Sequence, residues 1–486
     1  MKSGPSAPAL SRRSFLRQAA LLSAVGLLAA CAPAQQPTPT AAPAKPTEAP
    51  KPAALTAAPT AAPAKPTQAP AAKTGLTGTI VVSYPDELGK KPKYVEQAAA
   101  AVKQANPGAE VRIDHQKIGS GDFYTKLLLA LNAGDAPDVI HIGGDRIGEL
   151  AEANHIVALD DYVRAWDDWK QYPDAVKSGV TYKGKVWAVP YGLDTRFLYY
   201  RRDVFARAGL PADWQPKNVE DILVAARTVK EKVSGVIPYA LYGGQAGEGG
   251  TANHAFIPLV WAYGGDIQDQ NGKWIGDSPA IRKALAYYQR AFIADKLVPS
   301  EILTTARPWT AMREKLGNGE LGILFEGGWV YGGWSSKDQA GTEKNVGYLL
   351  HPTETSGPSF TIGGPGTVWY IAAKSRNKDL AWEFIKAFNN KETVAKLNIE
   401  DPHPVARLDS AEVPEFKTQK FLVDSTESLK KARFTSPDPN IGKVFTAIQR
   451  ATGRVATGEA APEEAARRYA DDLRQAVGDG NVVVQS

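Results

Sequence analysis

The side chains of this sequence best placed to do chemistry are charged and aromatic residues beside chain breaks. In KGKVWAVPYGLDTRFLYYRRD (183–203), Asp194, Thr195 and Arg196 follow a Pro-Tyr-Gly break, and in HIGGDRIGEL (141–150) Asp145 and Arg146 follow a glycine pair. Trp329 comes directly after Gly327-Gly328, and Trp369 and Tyr370 follow Gly363-Gly364 closely. Carboxylates and guanidinium groups in such places bind hydroxyls through charge-assisted hydrogen bonds, and a ring beside glycine offers an apolar face. Other chemistries are poorly served. The adjacent pairs Asp160-Asp161 and Asp167-Asp168 are sequence neighbours at a helix start and do not face each other across a substrate, as the carboxylates of a glycoside hydrolase must. Six histidines include no HExxH, and no CxxC occurs, so no zinc site is expected. GGQAGEGGTANHAF (243–256) lacks the Lys-Ser/Thr of a phosphate loop and reads as a surface or cleft loop.

Composition narrows the choice. A chain of 486 residues, 43% hydrophobic and 22% charged, is a soluble globular protein of about two domains plus tails. Its formal charge of +5 misleads, because residues 1–30 carry four basic side chains and no acid, and residues 32–74 carry four lysines against Glu48. Residues 75–486 alone carry −2, which removes the electrostatic case for nucleic-acid binding. Arg12-Arg13 precedes AALLSAVGLLAA (19–30), too short to span a bilayer but suited to a signal-peptide core. The arginine pair resembles a twin-arginine export signal. Leu28-Ala29-Ala30-Cys31 resembles a bacterial lipoprotein box, whose cysteine is lipidated and becomes the mature N-terminus. Cys31 is the only cysteine, so the folded part has no disulfide. Residues 1–31 thus read as an export and anchoring signal. Residues 32–75, in which AAPAKPTEAP (41–50) recurs as AAPAKPTQAP (61–70), read as an extended tether that buries no core.

Alternating strands and helices must position the charged residues. A strand, GTIVVSY (78–84), precedes a helix from Tyr94 to Ala105 that stops at Asn106-Pro107-Gly108. Strand AEVRIDH (109–115) follows, then a helix capped by Asp122 and ended by Gly134, then strand DVIHI (138–142). This order predicts a parallel α/β sheet whose ligands sit beyond the carboxyl ends of the strands, where Asp145 and Arg146 fall. Pro190 and Gly192 split two apolar strands, Val186 to Val189 and Arg196 to Tyr200, so the chain is expected to cross from one body to another there. Asn218 with Asp221 predicts a capped helix start, and Ser278-Pro279 opens another helix. LGILFEGGW (321–329) reads as a strand breaking into Gly-Gly-Trp, NVGYLLH (345–351) as a strand, and DPHPVA (401–406) as a turn.

Five blocks together resemble one family. They are YTKLLLALNAGDAPDVIHIGGDRIGELAEANHIVALDDYV, then GKVWAVPYGLDTRFLYYRRDVFARAGLP, AYGGDIQDQNGK, LGILFEGGW and GGPGTVWYIAAKSRNKDLAWEFIKAF. In this order they resemble the extracellular solute-binding proteins of ABC importers, the family-1 group that includes maltose-binding protein, from residue 78 to about 405. The resemblance implies a two-lobe α/β fold of the periplasmic-binding-protein type II, with the ligand cleft between lobes joined by about three hinge segments. One lobe would take residues 76–191 and 351–401, the other 196–348 and 406–486, with crossings near 190–195, 348–351 and 401–406.

It also implies a monomeric lipoprotein, held on the outer face of the cell membrane through Cys31. Such a protein captures a small solute, most simply a sugar, and presents it to permease subunits without a cofactor or catalysis. Trp329 matches an aromatic that stacks on sugar, Asp194 a carboxylate that binds hydroxyls, and Asp145 and Arg146 further ligand positions. Tyr191 on the crossing, and Tyr84 and Glu87 at the end of the first strand, are expected as further ligand-binding residues. His254 falls where the family can place an aromatic, with a surface histidine as the alternative. Strand alternation allows either Trp369 or Tyr370 to face the cleft. Where the sugar binders carry an aromatic before Asp145, this chain has His141-Ile142-Gly143-Gly144, which counts against a maltose-like oligosaccharide. A peptide, polyamine or phosphorylated polyol is the alternative solute, and a secreted glycoside hydrolase the alternative class.

Overall fold

The computed structural model describes residues 75–485 apart from 87–88 and 355–356. Cys31, the arginine pair, the tether and Glu87 lie outside the described residues.

The strand Gly78–Pro85 runs parallel to Ala109–Gln116 on one side and to Val139–Gly143 on the other. Its residues Ile80, Val82 and Tyr84 are fully buried, as expected of a central strand covered by helices on both faces. Thr367–Ile371 returns antiparallel to Val139–Gly143, and Val189–Pro190 forms the far edge. Proline cannot donate to a ladder, so an edge is where Pro190 is tolerated. The expected strand from Val186 to Val189 is therefore two: Lys185–Val186 pairs with Thr181–Tyr182, and only Val189–Pro190 joins the main sheet.

The second sheet has the order Val346–Leu349, Arg196–Arg201, Leu321–Gly327, Ile237–Ala240. Leu321–Gly327 is fully buried and runs antiparallel to Arg196–Arg201 and parallel to Ile237–Ala240. The helices Ile441–Ala456 and Pro462–Val477 pack on each other and on Pro279–Gln289, and the strand Val482–Val484 pairs with Trp274–Asp277. Local signals work at several helix starts. Asp221 N–H donates to Asn218 Oδ1 at 3.1 Å and Ile281 N–H to Ser278 Oγ at 3.2 Å. Asp122 is no cap, because the helix Ser120–Ala133 begins two residues before it.

Three chain segments lie side by side where the two sheets join. Leu193 N–H donates to Pro404 O at 2.8 Å, Asp194 N–H to Gly364 O at 3.1 Å, and Ala406 N–H to Tyr191 O at 3.2 Å. The segment 191–194 thus runs between 364–366 and 404–406. Gly366 is required here: its φ is +57°, and a Cβ would meet Gly192 O at 2.5 Å.

Two of the expected boundaries shift. Residues 351–360 stay with the second sheet rather than opening the first lobe's return. Val219 N–H donates to Thr353 O at 2.9 Å, Glu354 N–H to Ala262 O at 2.8 Å, and His351 packs edge-on to Phe325. The crossing is therefore at 361–366. Beyond 406 the chain still packs on the first lobe, where Ser410 Oγ donates to Lys391 O and Arg407 pairs with Asp168. It rejoins the second lobe only in the helix Lys420–Ser428, where Phe421 stacks on Tyr331 at 4.1 Å. Both shifts have one cause: each loop satisfies its backbone and side chains on the lobe it has not yet left.

Candidate ligand-binding cleft

A cavity of about 430 Å³ opens between the lobes. Gly143 to Asp145 and Ser178 reach it from the first lobe, and Asp194, Arg196 and Gly363 to Gly366 from the crossing segments. Asn253, Phe434 to Pro437 and Phe445 reach it from the second lobe.

Asp145 is there because Val139–Gly143 ends at the sheet's carboxyl edge and turns at once into the short helical turn Gly144–Arg146. Gly144 N–H donates to Gly366 O at 2.9 Å, and the buried Tyr370 hydroxyl donates to Gly143 O at 2.9 Å, fixing the turn from both sides. Arg146 does not line the cavity. Its guanidinium lies 4.5 Å over the Tyr124 ring and pairs with Asp145 at 3.4 Å and Glu149 at 3.5 Å.

Arg196 is the buried charge of the site. Its backbone N–H donates to Thr361 Oγ1 at 2.8 Å, while Nη2 lies 3.6 Å from Asp194 and the guanidinium 5.5 Å over the Trp329 ring. Nε is buried and has no partner among the described residues. Burial lowers the Arg196 pKa, and Asp194 and Glu326 oppose that shift. The group stays charged, with a donor unused.

Trp329 supports Arg196 from below and is itself outside the cavity lining. The ring stacks on His403 at 5.8 Å and 15°, with His254 6.0 Å away. It folds back over its own strand end, where a Cβ on Gly327 would meet the ring at 2.3 Å. Beneath it is Glu326, fully buried. Glu326 accepts from Arg313 Nε at 2.9 Å, the Tyr242 hydroxyl at 3.1 Å and the Gly327 N–H at 2.7 Å. Burial opposes ionisation, but Arg313 and His254 hold this carboxyl well below the usual carboxylate range. His254 Nδ1 approaches Glu326 Oε1 to 2.7 Å, off the direction of a good hydrogen bond. His254 is thus a buried neighbour of Glu326, and the adjacent Asn253 lines the cavity. Both belong to a π-helical turn, Ala252–Phe256, a kind of irregularity frequent at functional sites.

Four expected site residues are core residues instead. Tyr84 stacks on His115 at 5.1 Å, Tyr191 shares a 3.1 Å hydrogen bond with His141, and Trp369 packs between His141 and Phe388. Alternation does put Trp369 and Tyr370 on opposite faces, but both faces are covered, so both side chains are fully buried. Asp160 and Asp161 start a helix, and Asp168 pairs with Arg407; none of them lines the cavity. Sequence reasoning missed Asn253, Ser178, Thr435, Ser436, Phe434 and Phe445. Only Asn253 carried a signal, being next to His254.

Burial lowers the pKa of His141, His254 and His351, the last to about 4. The unfolded chain therefore takes up these protons first as pH falls through about 6.5. Stability is full above that pH and declines below it, by on the order of 2 kcal/mol for His351 alone at pH 5. The melting temperature should accordingly drop between pH 7.5 and 5, and a flat profile would contradict this.

Among the described residues no group of three His, Cys, Asp or Glu could hold a metal ion, and no helix is long and apolar enough to cross a membrane. Residues 85–395 match the family model of bacterial extracellular solute-binding proteins. The chain is 24% identical to a maltotriose-binding protein of Pyrococcus abyssi (strain GE5 / Orsay) over 340 residues, 69% of each chain. A solute-binding protein of an ABC transporter from Thermotoga lettingae TMO, bound with alpha-D-tagatose, superposes with a TM-score of 0.72 at 21% identity, over 83% of this chain and 100% of that one. A maltose-bound T. maritima protein gives 0.70 at 22% identity, over 82% and 99%. The fold is theirs, two lobes about a cleft, and the chain belongs to the family of bacterial extracellular solute-binding proteins.

Proposed function

We propose that this protein captures a neutral carbohydrate in the interlobe cavity and, by closing its lobes, presents it to the permease of an ABC importer. The observation that carries this is the cavity's lining. Carboxylates Asp145 and Asp194, the guanidinium of Arg196, the Asn253 amide and the hydroxyls of Ser178, Thr435 and Ser436 surround it, with Phe434 and Phe445 as apolar faces. Such a set suits a molecule with hydroxyl edges and C–H faces. Two carboxylates against one arginine disfavour an anion. The sugars named for the relatives, maltotriose, tagatose and maltose, support the same class.

A ligand that touches Asp145 on one lobe and Asn253 on the other makes more contacts when the lobes are closed, and so shifts the population toward closure. Binding and closure need no bond to be made or broken. In this reading Cys31 carries the lipid, and residues 32–75 hold the binding domain clear of the membrane. Thermal unfolding of residues 75–486 against mono- and oligosaccharides, polyols, peptides and polyamines tests it. A ligand at 100 times its dissociation constant should stabilise by about 2.7 kcal/mol, a rise of several degrees. A rise with peptides or polyamines and with no sugar would discard the carbohydrate reading.

A further inference from the structure

A second cavity, of about 350 Å³, lies behind the wall of the first. The two share Ala175, Gly179, Gly364, Pro365 and Phe434, so they adjoin along a common wall. Their chemistry differs. The second is lined by apolar groups such as Val176, Leu193, Val405, Leu408, Ala411 and Leu429. The charged side chains in its walls are engaged already. Arg407 pairs with Asp168 at 3.0 Å and Asp409 at 2.7 Å, and Lys430 with Glu427 at 2.6 Å. Two of its lining residues, Leu408 and Phe434, are 58% and 43% exposed, so an apolar occupant would cover surface that faces water. Its apolar walls favour apolar ligand atoms, and about 150 Å³ of apolar space already holds a benzene ring.

We infer that the chamber is an aglycone site: the transported carbohydrate carries an apolar alkyl or aryl group, which enters here while the sugar occupies the polar cavity. The inference rests on the carbohydrate reading above and narrows its substrate class. The hinge gives the arrangement a consequence. Leu193 and Val405 belong to two crossing segments, Val176 to the first lobe, and Leu429 follows the helix Lys420–Ser428 packed on the second. An apolar group in the chamber touches all of these and adds to the contacts that favour one lobe arrangement.

The test compares methyl and octyl glycosides of glucose, galactose, mannose and maltose by titration calorimetry, below the micelle concentration. For whichever sugar binds, the octyl glycoside should bind at least about tenfold more tightly than the methyl glycoside, since each buried methylene contributes severalfold. Ala411→Phe, which fills the chamber, should abolish that gain and leave the methyl glycoside's affinity unchanged. Leu408→Asp places a charge at an exposed lining position where folding is not at risk, and should act the same way. Equal affinities for the two glycosides would overturn the aglycone site and leave the carbohydrate reading intact. A gain that survives both substitutions would overturn it too, by placing the chain elsewhere. Binding of no glycoside at all would overturn both.

Discussion

Glu326→Ala is expected to destabilise the protein by roughly 2–6 kcal/mol, because two buried donors each lose their acceptor at a cost of about 1–3 kcal/mol. The substitution would take this carboxylate from Arg313 and deprive the Tyr242 hydroxyl and the Gly327 N–H of their acceptor. Glu326→Gln keeps the shape and two acceptor contacts but loses the charge, and should fall between the wild type and alanine. The pH dependence follows from the depressed pKa of this carboxyl. A group ionised more readily in the folded state contributes fully above its unfolded pKa, near 4.3, and loses that contribution as pH falls below it. Chemical denaturation of the wild type and both variants at pH 7 measures the effect. A loss below about 1 kcal/mol for alanine would mean that the cluster is not the support described here.

Arg196→Ala should weaken ligand binding about tenfold or more, because a hydrogen bond between a neutral hydroxyl and a charged group contributes about 1.5–3 kcal/mol. The guanidinium lies over Trp329 and beside Asp194, with Nε unpartnered and buried. A ligand hydroxyl that accepts from Nε would satisfy a group whose desolvation the fold already bears. Arg196→Lys retains the charge but not the planar fork, and should recover only part of the loss. Trp329→Ala should act through the same guanidinium, by removing the ring beneath it. Calorimetric titration of the three variants with the sugar found by the unfolding panel decides this. Wild-type affinity in Arg196→Ala would remove Arg196 from the site.

Much of the fold could be read from local sequence because the signals were local. Pro190 and Gly192 cannot continue a central strand, and the structure uses that stretch as a crossing. The alternation of strands and helices placed Asp145 beyond the carboxyl end of an apolar strand, and Asp145 stands there. Asp194 likewise lines the cavity. The misplaced residues share a cause of another kind. Tyr84, Tyr191, Trp369 and Tyr370 are aromatic residues at strand ends near glycine, and the same pattern arises whether the sheet face is open or covered. The packing of Lys378–Phe388, which brings Phe388 against Tyr191 and Trp369, covers one face, and Tyr370 lies in the cluster on the other. The wall formed by Phe434, Thr435 and Ser436 had no local sign at all. It depends on Ala432–Arg433 pairing with Thr361–Ile362, some 70 positions earlier in the chain.

Lobe bridging by one ligand is tested most directly by a pair of distant substitutions. Asp145→Ala on the first lobe and Asn253→Ala on the second should each weaken the same sugar by calorimetry, about tenfold or more if each gives up a charged or amide hydrogen bond. Small-angle scattering of the wild type should show a smaller radius of gyration with sugar than without. Loss of affinity for only one substitution, with no change in radius, would contradict capture between closing lobes.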